Sequence, residues 1–296
     1  IGYNKDLSGR DNKHNHVNSI YYDFQSRLAN DFYITIGSRF DEHSVAGNEE
    51  SHRVTAAYIF DDKSLKLKGS YGTGFRFPSL YELYFIYAAN AQSINSVKAE
   101  NSRSYDLGVE KFFSNIDLTL EATYFNLKYD DVLEGWKTGT SSGANYTTQN
   151  MPGNVRSQGL ELVSKWNESD NLNFALNYTY TSTYDGAEQD DPDKNSSYTN
   201  AQMVRVPRNI VNLRTNFKIP NYENLDFTLN TKWSDEARDY GNGNRTYNDE
   251  RTDDYLVNDL MIKYNLGNEY NIFFDVTNLL DEKYETARDY SQIGRS

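Results

Sequence analysis

Apolar residues in this chain recur at every second position in one segment after another, and nowhere sustain the three-to-four-residue spacing of an amphipathic helix. From Leu65 to Arg76, Leu65, Leu67, Tyr71 and Phe75 fall on one face, and Lys66, Lys68, Ser70, Gly72 and Arg76 on the other. Ile116, Leu118, Leu120, Ala122 and Tyr124 likewise oppose Asp117, Thr119, Glu121 and Thr123. The segment from Leu225 to Trp233 and that from Val211 to Ile219 repeat the pattern. The chain is therefore all-β, with one apolar and one charged face per strand.

Short polar turns centre near Asn30, Asp62, Asn115, Ser169, Tyr222 and Asn268, between strands of about ten residues. Longer polar segments separate them, at approximately Asp41 to His52, Phe77 to Arg103, Tyr129 to Arg156, Ser182 to Arg208 and Ser234 to Asp254. Strand, tight turn, strand, long loop repeats about six times, which predicts about twelve antiparallel strands. A soluble sandwich has no reason to gather its long loops at one end. A transmembrane β-barrel does, with short turns on one side of the membrane and long loops on the other.

Composition agrees. Mean hydropathy is −0.82 and only 37% of residues are apolar, values typical of disordered chains, yet 15% are aromatic, with 25 Tyr. Barrel strands reconcile the two, because lipid-facing apolar residues average with a wet lumen. No run approaches the about 18 apolar residues of a membrane-spanning helix. Net charge is −13, from 30 Lys plus Arg against 43 Asp plus Glu, the wrong sign for a nucleic-acid partner. The chain has no Cys, so thiol catalysis and cysteine-ligated metals are excluded. Tyr58, Tyr71, Tyr124, Tyr129, Tyr178, Tyr180, Tyr184, Tyr264, Trp166 and Trp233 fall toward strand ends, as aromatic girdles do; strand propensity of aromatics is the alternative reading.

Three stretches carry a resemblance: Gly72-Thr-Gly-Phe-Arg-Phe-Pro-Ser-Leu-Tyr-Glu-Leu-Tyr84, Asn95-Ser-Val-Lys-Ala-Glu-Asn-Ser-Arg-Ser-Tyr-Asp-Leu-Gly-Val-Glu110, and Phe274-Asp-Val-Thr-Asn-Leu-Leu-Asp-Glu-Lys-Tyr284 followed by Gly294-Arg295. In order and spacing they resemble the barrel of TonB-dependent outer-membrane receptors. Asn154-Val-Arg-Ser-Gln-Gly-Leu-Glu-Leu162 and Arg205-Val-Pro-Arg208 fill the gaps. Ala99, Leu280 and Ile293 stand where the family usually has Pro, Phe and Pro. The resemblance implies a barrel of twenty-two strands with an N-terminal plug. It makes this chain a partial barrel of about 12 strands without its plug. Residues 1–16 are expected to be an extracellular-loop remnant, and residues 17–296 the C-terminal part of the barrel lacking the final strand. A closed twelve-stranded barrel is the competing arrangement.

The resemblance further implies a bacterial outer-membrane location and TonB-coupled uptake of a scarce nutrient complex, such as cobalamin, a ferric siderophore or haem. Its expected partners are outer-membrane lipid, that ligand, and TonB acting through the plug. A passive porin-type channel is the alternative, and no nucleophile or acid–base constellation suggests an enzyme. Candidate ligand contacts are Tyr81, Tyr84 and Tyr87 in one loop and Trp136 and Tyr146 in another, with loop packing as the competing role. Arg76, expected to face inward, is grouped with Arg156, Arg205, Arg208 and Arg214 as cations for an anionic ligand or the plug, or as members of a lumen ladder with Asp and Glu. No cofactor is expected. The acidic run from Asp185 to Lys194 suits calcium only loosely, because it lacks the EF-hand order, and His14 and His16 alone are too few for a metal site.

Overall fold

The computed structural model describes residues 2–5, 14–29, 31–60, 62–84, 97–138, 145–150, 153–186, 202–222, 224–241, 246–267 and 270–296. The chain begins with β1 (Gly2–Lys5), β2 (His14–Ala29), β3 (Phe32–His43), β4 (Gly47–Ile59) and β5 (Leu65–Arg76). A short helix, α1 (Leu80–Tyr84), precedes β6 (Glu100–Phe113) and β7 (Leu118–Asp130). Next come β8 (Leu133–Thr138), β9 (Asn145–Asn150), β10 (Asn154–Ser169), β11 (Leu172–Asp185), β12 (Asn209–Lys218) and β13 (Leu225–Ser234). The last part holds β14 (Ala237–Gly241), β15 (Thr246–Thr252), β16 (Tyr255–Leu266), β17 (Tyr270–Val276), β18 (Glu285–Ala287) and β19 (Tyr290–Ser291).

One antiparallel sheet joins 13 of these strands, the four-residue β1 and twelve longer ones, in chain order. The pairs β8–β9, β14–β15 and β18–β19 stand outside it as separate hairpins. All six predicted tight turns lie at one end of the sheet. Lys63, Asp117, Asn221 and Gly267 take positive φ at four of them, which tightens the reversal.

Register shows how the sheet is built. On the apolar face an unbroken row of paired residues runs Phe32, Tyr58, Leu67, Val109, Ala122, Leu162, Tyr178, Val211, Trp233, Leu256. It starts at the turn end of β3 and finishes at the loop end of β16. A row perpendicular to the strands can climb the sheet in this way only if successive strands are staggered, which is the shear a barrel wall requires. On the other face the row Lys66, Glu110, Glu121, Val163, Asn177, Asn212, Lys232 is mostly polar.

The apolar face is left bare. Leu67, Tyr71, Leu107, Leu120, Leu162, Leu176 and Leu256 are all exposed, while among the described residues the buried apolar ones are few, Leu83, Ala99, Ala237, Tyr255 and Val257 with Pro78, all near the loop end. A soluble protein of this size hides such a face, so the face calls for an apolar surrounding. Aromatics mark both of its margins. Trp166 stacks on Phe174 and Phe217 on Phe227 at the turn end, and Tyr105 meets Tyr124 toward the loop end. Trp166 and Trp233 each donate their indole N–H, to the Ile116 carbonyl and to Asp254. Tyr129 departs from the girdle expectation, since its pairing with Ser102 and Val155 puts it on the polar face.

Polar side chains tie the opposite face together. Lys68 pairs with Glu121 at 2.5 Å across the width of β6. Asn216 donates to Asn173 at 2.8 Å and accepts from Thr228 at 2.7 Å.

Two expectations change. The long segment expected from Asp41 to His52 is a three-residue turn between continuing strands, because β3 and β4 run past the apolar band into polar sequence where alternation no longer shows. Residues 2–5 and 14–16, expected as loop, are paired strand, with Tyr3 opposite His16.

Candidate functional site

The loop end is organised around Arg76, the last residue of β5. Its guanidinium donates through Nη1 and Nη2 to the two oxygens of Glu82 at 2.9 Å each, and through Nε to Glu100. Glu82 is placed for this by a capping box: the Ser79 N–H and hydroxyl donate to its carboxylate at 2.7 and 2.8 Å, and its own N–H donates back to Ser79 Oγ at 3.2 Å. Burial pushes the Glu82 carboxyl up, but the Arg76 fork and the Ser79 donors outweigh it and hold the group below the usual carboxylate range. Pro78 is fully buried, and Ala99 and Leu83 are buried as well.

Glu100 carries the connection onward, because its second oxygen accepts the Leu133 N–H at 2.7 Å at the start of β8. Asn150, at the end of β9, accepts from the Lys98 N–H at 2.8 Å and donates to the Lys98 and Asp131 carbonyls at 3.0 and 2.7 Å. The α1 loop and the β8–β9 hairpin are thus locked to each other.

Those two elements hold most of the predicted ligand contacts. Tyr81 projects from α1 and is 57% exposed, and Tyr84 ends that helix. Tyr87 lies outside the described residues. Trp136 and Tyr146 sit on the β8–β9 hairpin at successive register positions, opposite Thr147 and Lys137.

The predicted cations separate. Arg76 is on the polar face as expected, fully engaged by Glu82 and Glu100. Arg205 belongs to a second knot: with positive φ, it pairs through Nε with buried Asp239 at 3.0 Å, and Asp239 also accepts the Arg288 N–H at 2.6 Å. In the same knot buried Arg238 donates to the Gln202 carbonyl at 2.6 Å. Arg208 is exposed and its carbonyl accepts the Thr181 N–H. Arg214 is on the polar face and donates to Asn216 at 3.3 Å. Arg156 is a correction to the inward grouping. It lies an even number of residues from Leu160 and Leu162 and therefore shares their apolar face.

Sequence reasoning missed Glu100, Asn150, Gln202 and Asp239, which fasten the loops. Only Glu82 had a signal, the Ser-x-x-Glu spacing. No described cluster of three or more His, Cys, Asp or Glu is placed to hold a metal, and residues 187–194 of the acidic run lie outside the described residues.

The "TonB dependent receptor-like, beta-barrel" family model matches residues 2–279. The vitamin B12 transporter BtuB of Vibrio cholerae is 22% identical over 259 residues, 87% of this chain and 38% of that protein. A probable TonB-dependent siderophore receptor, PiuA of Acinetobacter baumannii, is 22% identical over 290 residues, covering 90% of this chain and 37% of that one. The ferric enterobactin receptor PfeA of Pseudomonas aeruginosa superposes with a TM-score of 0.75 at 20% identity, over 97% of this chain and 45% of PfeA. This chain therefore spans less than half the length of these relatives. With its sheared, neighbour-paired sheet and bare apolar face, the chain belongs to the TonB-dependent receptor β-barrel family of the bacterial outer membrane.

Proposed function

We propose that this chain is the C-terminal part of the barrel wall of a receptor that captures a scarce nutrient complex, cobalamin, a ferric siderophore or haem, for TonB-coupled uptake. The relatives support this class, since they are a vitamin B12 transporter and siderophore receptors. Family membership does not favour a passive porin, and at the family level these proteins are receptors and transporters, not enzymes. In this reading residues 17–296 are barrel wall and residues 1–16 belong to the loop end. The polar face is the lumen, where a plug engaged by TonB would pack.

One observation carries the assignment of ligand contact. Tyr81 is exposed on an element whose Glu82 is held by both Arg76 and Ser79, with Arg76 in turn held by Glu100. A rigidly mounted, exposed aromatic offers stacking area with little entropy left to lose on binding. Trp136 and Tyr146, on the hairpin tied to it, complete the candidate surface, with Arg76 and Arg205 as the candidate cations of the loop end.

The test is binding by the full-length receptor to cobalamin, a ferric catecholate siderophore and haem in turn. Tyr81→Ala combined with Trp136→Ala is expected to weaken the cognate ligand about tenfold or more, from about 0.5–1.5 kcal/mol for each aromatic contact. Barrel assembly should be intact. Unchanged affinity for all three ligands would refute the assignment.

A further inference from the structure

The turn that joins β3 to β4 is closed by a side chain. His43, the last residue of β3, is 4% exposed, and its Nδ1 accepts the Val45 N–H at 3.1 Å and the Ala46 N–H at 2.8 Å. A ring nitrogen that accepts two N–H groups carries no proton, so the imidazole is neutral and its one proton is on Nε2. The turn is also anchored to β2, where the Ser44 N–H donates to the His16 carbonyl at 3.0 Å and the His16 N–H donates to Ser44 Oγ at 3.1 Å. The His43 ring bears on the chain that leads to α1 as well. It meets the Phe77 ring with centroids 4.8 Å apart, and Phe77 meets Phe75 edge-on at 5.1 Å. His43 lies an odd number of residues from Phe32, so all of this is on the polar face.

Protonation is incompatible with this arrangement. A proton on Nδ1 turns the acceptor into a donor facing two other donors, and it leaves the Val45 and Ala46 N–H groups without that partner. The charged and titratable groups around the ring, among the described residues, offer it little compensation. His16 on β2 is a second base that becomes a like charge in acid. Asp41, two residues back on the same face of β3, is buried and already engaged by Arg39 at 2.6 and 2.7 Å and by Ser19. Glu49, opposite Asp41 on β4, has its carboxyl pushed up by its own burial and by Asp131. Arg76, next to Phe77 in the chain, is held by Glu82 and Glu100. Burial first, and then His16, hold the His43 imidazole below the usual histidine range.

We propose that His43 is an acid-released latch: in its neutral form it closes the β3–β4 turn against the Phe77 segment, and on taking a proton it leaves that seat and frees residues 44–46 at the loop end. The direction follows from the proton balance. With the turn open, His43 titrates near pH 6.5, and with the turn closed it titrates lower, so the open form takes the proton first. Closure is therefore complete above about pH 6.5 and is lost as the pH falls through the lower closed-state value. The α1 cap is separate from the latch, because the Arg76 fork and Ser79 hold Glu82 and that carboxyl titrates in a more acid range. The latch belongs to the wall and is independent of which ligand the receptor carries.

The test is amide hydrogen exchange of the full-length receptor in detergent micelles at about pH 7.5 and about pH 5.5, corrected for intrinsic rate. Opening at Val45 and Ala46 should rise about tenfold, the change that one proton taken up near pH 6.5 gives one unit below it. The Leu83 amide on α1 should stay level over the same range. His43→Gln should remove the step at Val45 and Ala46. A second readout needs no substitution: in the wild type, the histidine ring-carbon resonance of His43 should titrate below about pH 6.5 and report the Nε2–H tautomer above it. Equal opening of the wild type at the two pH values, a step that persists in His43→Gln, or a His43 titration at or above about pH 6.5 would each overturn the proposal.

Discussion

Replacing Arg76 with Gln removes the guanidinium on which the loop end is assembled. Two hydrogen bonds at 2.9 Å to Glu82 and one to Glu100 are lost together. Hydrogen bonds to charged groups in buried settings contribute about 1.5–3 kcal/mol each, whereas exposed ion pairs contribute about 0.2–1 kcal/mol. Arg76 is 48% exposed while the side chains of Glu82 and Glu100 are only 18% and 17% exposed, so the set falls between these limits. An expected cost of about 2 kcal/mol corresponds to roughly 30-fold easier local opening. It should be felt by α1 and by the β8–β9 hairpin, not by the sheet. Amide hydrogen exchange separates the two. The Leu83 N–H, which donates to the Ser79 carbonyl, and the Leu133 N–H, which donates to Glu100, should exchange roughly 30-fold faster. Amides in the middle of β7 and β10 should not change. Equal exchange at Leu83 and Leu133 in the two proteins would refute the clamp, and uniform acceleration across the sheet would show that Arg76 supports the wall instead.

Acidification should loosen the same turn. The Glu82 carboxyl is held below its usual value in the folded protein, so its stabilising contribution is complete above about pH 4.3 and is lost as the pH falls through the lower folded value. Leu83 exchange, corrected for intrinsic rate, should rise on going from pH 6 to pH 3 in the wild type but not in Glu82→Gln; a pH-independent wild type would contradict this. In the sheet, buried Gly159 faces the Phe125 ring across the β7 pairing. A Cβ added there would lie 2.6 Å from Phe125 Cζ and 1.9 Å from the Tyr180 carbonyl oxygen. Gly159→Ala should therefore destabilise the barrel by about 1–3 kcal/mol through overpacking, seen as a lower urea midpoint in detergent micelles. An unchanged midpoint would show that the strands yield freely.

The membrane-level part of the fold was legible because its physics is periodic. Leu65 to Arg76 and Leu225 to Trp233 alternate without a break, and the six turn positions follow from where alternation stops. Where β3 and β4 leave the apolar band, around Asp41 to His52, both faces are polar and alternation carries no information, so strand was mistaken for loop. The hairpin β14–β15 was hidden in the same way. Arg156 was different, since its even spacing from Leu160 already implied its face. At the loop end the Ser79 to Glu82 cap was readable as a local spacing. Glu100 with Leu133, Asn150 with Lys98, and Arg205 with Asp239 are joined by tertiary geometry across tens of residues, which a single sequence does not encode in any local pattern.

The chain-order pairing of the large sheet has a consequence for how such walls change size. Each long strand touches only its predecessor and successor within the sheet. If β6 and β7 were excised, β5 and β10 would still run in opposite directions and could pair through the same kind of backbone ladder. Circumference can therefore grow or shrink two strands at a time without reversing any strand, provided the inserted or deleted pair keeps the inward and outward phase of its neighbours. The wall is modular in units of one hairpin, and bore width is a quantity that simple duplication or loss of such a unit can tune.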